Sequence, residues 1–192
     1  MKSYKTLPNG YKEILSVNFQ KEKKTMLLIN FMAIIVALIM AVLMHFFVPV
    51  FTLFDFSKGF LDIFIRFVTL IIGNVLYFVF HEFIHGMAMK ICGTKKVKYG
   101  FNGIYAFAAS DDYYDKKSYL MIAMAPVVFF GIFLAVLNCI VPTHWFWVVY
   151  LIQISNVSGA MGDFYVALYF RKLPADALLQ DVEVGTKVYS AK

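Results

Sequence analysis

The chain has 192 residues, of which 61% are hydrophobic and only 16% are charged, and its mean hydropathy is +0.71. An average soluble domain has about 25% charged residues, so this composition indicates a membrane protein. Lysine and arginine exceed aspartate and glutamate by 18 to 12, but the basic residues form short clusters between apolar stretches, which argues against nucleic acid as a partner. Cys92 and Cys139 are expected to be free thiols near opposite membrane faces.

The apolar stretches predict four membrane-spanning helices. A helix needs about 20 residues to cross the hydrocarbon core of a bilayer, and four stretches meet that length, at residues 26–54, 67–89, 119–141 and 145–170. The first stretch follows a polar segment and is too long for the apolar part of a cleaved signal peptide. It is therefore expected to remain as a membrane anchor.

The basic residues predict how these spans are oriented. In a four-span arrangement only Lys58 and Arg66 fall on one side, so the positive-inside rule places both termini in the cytoplasm of a cell membrane, most simply the bacterial cytoplasmic membrane. The predicted parts of the chain are a cytoplasmic arm, a four-span membrane domain with a metal site and a cytoplasmic tail, at residues 1–25, 26–172 and 173–192.

A β-hairpin is predicted between the second and third spans, at residues 97–107. Aromatic and β-branched residues there flank Asn102-Gly103, and Asn-Gly favours a two-residue hairpin turn because both turn positions need positive φ. The predicted fold class is therefore an all-α membrane protein with four transmembrane helices and one small cytoplasmic hairpin. This hairpin either captures an extended substrate by strand addition or caps the cytoplasmic end of the helices.

The second span contains the pattern with the clearest chemical meaning, His81-Glu82-Phe83-Ile84-His85. Two histidines four residues apart lie on one face of a helix and can coordinate one metal ion, while the adjacent glutamate can act on a water beside it. Ionisable side chains within a membrane are costly unless they are paired, ligated or hydrated. The pattern predicts zinc bound by His81 and His85, with Glu82 as the catalytic base.

A catalytic zinc takes a third protein ligand and keeps one position open. Asp163 is the only acidic residue of the predicted spans besides Glu82. Asp163 and the histidine pair both lie about 11 to 12 Å inside the cytoplasmic boundary, at about 1.5 Å per helical residue. Asp163 is therefore the predicted third ligand, the alternative being a carboxylate near the cytoplasmic end of the span that extends toward water or pairs with Arg171. Asn156 shares a helix face with Asp163 and is the candidate for orienting substrate or stabilising an oxyanion.

Together these elements resemble the site-two protease class of intramembrane zinc metalloproteases, and more closely a family of small bacterial zincin-like membrane proteins. In that class a zinc-binding helix is followed by a β segment, a helix with an Ala-Gly-Pro type sequence, and a helix that bears an asparagine and then the aspartate ligand. The later elements are similar here to Ala123-Met124-Ala125-Pro126 and to Asn156 with Asp163. The resemblance covers residues 67–171, although no glycine precedes Pro126 and Phe164 follows Asp163 where that class often has glycine.

The predicted function is hydrolysis of peptide bonds in membrane-embedded or membrane-adjacent substrates, by a water that zinc activates. The expected partners are a membrane protein or peptide substrate and the lipid bilayer. A zinc-binding membrane protein without peptidase activity, such as a sensor, an immunity factor or an adaptor, is the first alternative, and an intact Glu82 argues against it. A metal or proton transporter would need polar residues along the outer halves of the spans, which are nearly all apolar.

Overall fold

The computed structural model describes residues 2–18, 22–101, 103, 106–182 and 185–191. Its helices are α1 (Lys23–His45), α2 (Phe60–Ile91), α3 (Lys116–Ile140), α4 (Thr143–Gly159) and α5 (Met161–Phe170), with a 3-10 turn at Val50–Phe54. Its strands are β1 (Ser3–Tyr4), β2 (Lys12–Asn18), β3 (Lys98–Phe101), β4 (Ala106–Ala109), β5 (Tyr113–Asp115), β6 (Leu178–Val182) and β7 (Gly185–Ser190). The chain forms two compact units: the first contains residues up to 29, 80–126 and from 162 onward, and the second contains 30–79 and 127–161.

The fold is mixed α/β, so the prediction of an all-α protein is wrong. In the first unit five strands form an antiparallel sheet in the order β1-β5-β6-β7-β2. Segments expected to be only a polar arm and tail supply four of these strands. The alternation that defines a half-buried strand is present in β7, where Thr186 and Val188 are buried while Lys187 and Tyr189 are partly exposed. It extends over too few residues to stand out beside the long apolar stretches.

The hairpin predicted between the second and third spans is confirmed as a separate two-stranded sheet. β3 and β4 pair antiparallel, with Tyr99 opposite Ala108 and Gly100 opposite Phe107. Gly103 has a φ of +89°, the positive value predicted for the glycine of the turn. Phe101, however, lies opposite Ala106, so four residues connect the strands and the predicted two-residue turn is wrong. Asn102, the other residue of that turn, lies outside the described residues.

Among the described residues, three helices and not four are long and apolar enough to cross a membrane, namely α1, α2 and α3. The predicted fourth span, 145–170, is divided at Ala160 into α4 with 17 residues and α5 with 10. The hydroxyls of Ser155 and Ser158 each donate to the carbonyl four residues earlier, a contact that weakens and bends helices. Gly159 adds a residue of low helix propensity at the same place. A count of apolar residues does not detect this interruption.

The large sheet packs on the helices of the first unit through a buried apolar core. The strands contribute Val17, Tyr114, Leu179 and Val188, and the helices contribute Ala88, Met89, Tyr119, Ile122, Val166 and Phe170. Tyr114 is fully buried, and its hydroxyl lies 2.6 Å from the hydroxyls of both Thr94 and Ser110. This core holds parts of α2, α3 and α5 beside one another, and these three helices carry the candidate site.

A buried arginine organises the second unit. Arg66 of α2 is fully buried, and its Nη1 donates to the carbonyls of Thr52, Leu53 and His144 at 2.9 to 3.1 Å. Its Nη2 donates to a fourth carbonyl at 2.7 Å and pairs with the carboxylate of Asp62 at 2.9 Å. The guanidinium therefore ties the 3-10 turn, the start of α2 and the start of α4 together.

The three long helices expose large apolar side chains over much of their length. Leu27 of α1 is 73% exposed, and Ile71 of α2 and Ile132 of α3 are each 64% exposed. Continuous apolar exposure of this extent is typical of a surface that contacts lipid or another protein rather than water. Together with the length of these helices, it indicates that the protein associates with a membrane.

Candidate metal centre

The core of the site is one turn of α2, which places His81 and His85 on the same helix face. Side chains four residues apart on a helix stack above one another, and here the two imidazole centroids are 4.8 Å apart. The two Nε2 atoms lie 3.2 Å apart, so both rings direct the same nitrogen toward a common point. His81 is buried, with 8% of its surface exposed.

Asp163 completes the group from the first turn of α5. Its Oδ2 lies 3.4 Å from Nε2 of His81, and its Oδ1 lies 3.6 Å from Nε2 of His85. One potential ligand atom from each of the three residues lies within 4.8 Å of the others. The structure thus brings together the two histidines and the aspartate that the sequence singled out.

The spacing of these atoms fits a zinc ion. Ligands about 2.0 to 2.1 Å from a tetrahedral ion are about 3.3 to 3.4 Å from one another. The two Nε2 atoms are 3.2 Å apart here, and each lies 3.4 or 3.6 Å from a different oxygen of the Asp163 carboxylate. Two imidazoles and a carboxylate are also donor types that zinc takes at catalytic sites. The described residues therefore offer three ligands and leave a fourth tetrahedral position for a water molecule or substrate.

A backbone carbonyl orients one of the two histidines. Nδ1 of His85 lies 2.9 Å from the carbonyl oxygen of Ile122 in α3. A carbonyl accepts hydrogen bonds and does not donate them, so this contact requires the proton on Nδ1 and leaves the lone pair of Nε2 for the site. Metal-binding histidines are commonly held in this way by a partner on the other ring nitrogen.

Glu82 faces the small hairpin. Its carboxylate lies within hydrogen-bonding reach of the backbone N–H of Ala108 in β4. Opposite Ala108, Tyr99 of β3 packs over Gly86, where an added Cβ would lie 2.0 Å from the tyrosine hydroxyl, and its ring stacks on Phe83 with centroids 6.4 Å apart. Burial, and then the neighbouring Glu82 carboxylate, raise the pKa of Tyr99. The hairpin is therefore docked on the helical turn that carries the candidate base.

The carboxyl-terminal strands bring another carboxyl group toward the site. The hydroxyl of Tyr119 lies 2.7 Å from the Thr186 hydroxyl and donates to Oδ1 of Asp181 at 3.4 Å. Burial, and then the negative charges of Asp163 and Glu82, raise the pKa of Asp181 well above its ordinary value of 3.8. Asp181 stands in β6, in a segment that sequence reasoning treated as a polar tail.

Sequence reasoning did not identify Tyr99, Asp181 or the carbonyl of Ile122 as neighbours of the site. The Asn-Gly turn had located the hairpin, but no local signal shows which of its residues meets α2. The side-chain pattern does not show which backbone carbonyl contacts a site. A proline in a helix is a signal of a free carbonyl, because the carbonyl four residues before it lacks its usual helical donor.

Asn156 lies in the second unit, where it forms hydrogen bonds with residues of two other helices. It is fully buried in α4, its Oδ1 accepts a hydrogen bond from the Tyr77 hydroxyl at 3.3 Å, and its Nδ2 donates to the carbonyl of Val127 at 3.2 Å. These contacts satisfy one acceptor and one donor position of the amide, which has two of each.

Two histidines on one helical turn, an intervening glutamate and a converging aspartate define a zinc metallopeptidase type of site. The family model described as "Putative zincin peptidase" matches residues 74–178, which include all of these residues. The chain therefore belongs to this zincin peptidase family, for which zinc is the cofactor. No curated protein and no solved structure matches the chain.

Proposed function

We propose that this zincin family member is an intramembrane peptidase, similar to the site-two protease class, that cleaves membrane-embedded or membrane-adjacent proteins. The observation that carries the proposal is the position of the site within a helix that is apolar and long enough to span a membrane. Around the histidine and glutamate residues, α2 exposes Phe80, Phe83 and Met87, at 50%, 46% and 43%. Such a surface suits a substrate that approaches from lipid.

In the proposed mechanism His81, His85 and Asp163 hold the metal. When bound, zinc supplies a Lewis acid that polarises the scissile carbonyl and lowers the pKa of a water molecule. Glu82 accepts a proton from the attacking water and later delivers it to the departing amine. The N–H of Ala108 holds the Glu82 carboxyl group in position through its hydrogen bond, and the Ile122 carbonyl holds the His85 ring in position.

We propose that the hairpin receives the substrate as an added strand. Among the described residues β4 pairs with β3 alone, and the Ala108 side of β4 lies beside Glu82. A transmembrane helix must unwind before its peptide bonds are accessible, and strand addition stabilises the extended form through backbone hydrogen bonds. Asn156, the buried amide of α4, is the proposed polar group for orienting the substrate.

We also propose a location in the bacterial cytoplasmic membrane with both termini in the cytoplasm. Strands near the two termini, β2 and β7, pair in one sheet, which supports a common side for the two terminal segments. Every lysine and arginine except Lys58 and Arg66 lies in residues 2–24, 90–117 or 171–192, and β5 from the middle segment joins the same sheet. If these three basic segments all lie on the cytoplasmic side, the arrangement agrees with the positive-inside rule.

The test separates catalysis from zinc binding. Glu82→Gln preserves size and hydrogen bonding but cannot accept a proton, so zinc should be retained while cleavage of a membrane-spanning reporter falls by about 10²- to 10⁴-fold. His81→Ala and Asp163→Ala should lose both zinc and cleavage. Glu13→Gln, on an exposed strand residue paired with Lys187, is the matched control and should cleave normally.

Each alternative outcome has a distinct meaning. Cleavage by Glu82→Gln at the wild-type rate would refute the hydrolase mechanism. Stoichiometric zinc without cleavage of any membrane or soluble peptide would favour the non-enzymatic zinc-binding alternative. Cleavage of soluble peptides with no cleavage of membrane-spanning ones would support peptidase activity and overturn the proposal that the protein is an intramembrane peptidase.

A further inference from the structure

The proline within α3 lies at a position that bears directly on the metal centre. Pro126 is fully buried in the interior of α3. In a regular α-helix the N–H of each residue donates to the carbonyl four residues earlier, and proline has no N–H. The carbonyl that loses its donor is therefore that of residue 122, the same carbonyl that lies 2.9 Å from Nδ1 of His85.

We infer that Pro126 is a positioning residue for the zinc site: it keeps the Ile122 carbonyl available for His85 and thereby fixes which imidazole nitrogen faces the metal. This inference rests on the proposed zinc site. Ile122 is 1% exposed, so water does not compete for its carbonyl at the surface of the protein. With the carbonyl engaged by His85, a buried acceptor without its helical donor is satisfied.

The arrangement also accounts for a proline in a helix that is otherwise apolar and regular. A proline in a helix interior is strongly unfavourable compared with alanine, and its ring pushes the carbonyl four residues earlier away from the helix axis. The Ile122 oxygen meets His85 of the neighbouring α2 at 2.9 Å. The unfavourable proline in α3 thus contributes to the orientation of His85, a proposed zinc ligand in α2.

The experiment supplies the missing donor with Pro126→Ala in the full-length protein. The new N–H at residue 126 can bond the Ile122 carbonyl within the helix, so His85 loses its exclusive partner. The zinc Kd should rise by about 10- to 100-fold, the range found when the hydrogen-bond partner of a histidine ligand is removed. The Tm of the metal-free variant should equal or exceed that of the wild type, because alanine suits a helix interior better than proline.

This opposite movement of zinc affinity and metal-free stability distinguishes positioning from simple packing, since loss of packing would lower both. Pro126→Gly supplies the same N–H without a side chain and should weaken zinc binding to the same extent. Pro142→Ala, which changes a proline that precedes α4, is the matched control and should leave the zinc Kd unchanged.

A second readout does not require zinc. Nitrogen-15 NMR of His85 in the metal-free protein should show the proton on Nδ1 in the wild type and a mixture of tautomers in both Pro126 variants. An unchanged tautomer and an unchanged zinc Kd in both variants would overturn the inference and leave the proposed function standing. A wild type that fails to bind zinc would overturn the proposed function and this inference with it, a result distinct from the preceding one.

Discussion

A single methyl group added at Gly86 tests how the hairpin is docked on the metal-binding helix. A Cβ at this position would lie 2.0 Å from the Tyr99 hydroxyl oxygen, 2.6 Å from its Cζ and 2.8 Å from its Cε1. Distances this short are repulsive, so the tyrosine ring must move in Gly86→Ala. Its movement would disturb the stacking on Phe83 and the pairing with Ala108, which contacts the candidate base.

The expected effect on stability is small because two terms oppose each other. Overpacking costs about 1 to 3 kcal/mol, whereas replacing glycine by alanine in a helix interior gains about 1 kcal/mol. The net loss of about 0 to 2 kcal/mol corresponds to a fall in Tm of at most about 8 °C at about 2 to 4 °C per kcal/mol. Activity should fall further, by about 10- to 100-fold, because misplacing a catalytic environment by about 1 Å has effects of that size.

The assay compares Tm in detergent and reporter cleavage for Gly86→Ala, Tyr99→Ala and the double variant. The clash is absent without the tyrosine ring, so Gly86→Ala should do much less harm in the Tyr99→Ala background than in the wild type. Gly131→Ala is the control, since a Cβ there would meet its nearest neighbour at an ordinary 3.8 Å. Purely additive effects of Gly86→Ala and Tyr99→Ala would refute the docking of Tyr99 on Gly86.

Three other perturbations have defined outcomes. Arg66→Met should lower the free energy of unfolding by about 3 to 5 kcal/mol, because Asp62 loses its buried partner; a Tm no lower than that of the exposed Lys58→Met variant would contradict this. Removing zinc with a chelator should lower Tm and adding it back should restore Tm, since ligands of the folded state stabilise it; no change would argue against a folded-state site. In metal-free protein the pKa of Asp181 is higher in the folded state than in the unfolded state, so the protonated carboxyl group stabilises the fold at low pH. This contribution is lost as pH rises from about 3.8 through the raised pKa. Asp181→Asn should therefore gain Tm relative to the wild type as pH rises, and a constant difference between pH 4 and 8 would exclude this.

The parts of the site that sequence could predict are those that depend on short-range geometry. The helical repeat alone places His81 and His85 on one face, and a comparison of depths within the apolar stretches was enough to select Asp163. The Asn-Gly pair located the hairpin for a similar reason, because a glycine with positive φ marks a reversal of the chain, although four residues and not two connect the strands. Each inference needed only the conformation of one helix or one turn.

The large sheet could not be predicted in this way, because its strands pair over long separations in the chain. Ser3 lies opposite Tyr114, and Lys12 lies opposite Ser190. Closing loops of that length has an entropic cost that local strand preference does not offset, so the pairing depends on the shared apolar core. The interruption of the fourth apolar stretch was missed for a different reason, since serine hydroxyls that bond their own helix do not alter a hydropathy average.

The interruptions of the two helices are better understood as parts of the site than as defects of the fold. α3 loses a backbone donor at Pro126 and presents the freed carbonyl of Ile122 to His85. α5 begins at Met161, so Asp163 stands in its first turn, where it meets His81 and His85. Irregular backbone at membrane depth is tolerated where it is buried in protein or lines a polar cavity. A regular α3 would use the Ile122 carbonyl for its own backbone hydrogen bond, so the missing donor at Pro126 supplies a group that orients a ligand of the candidate metal site.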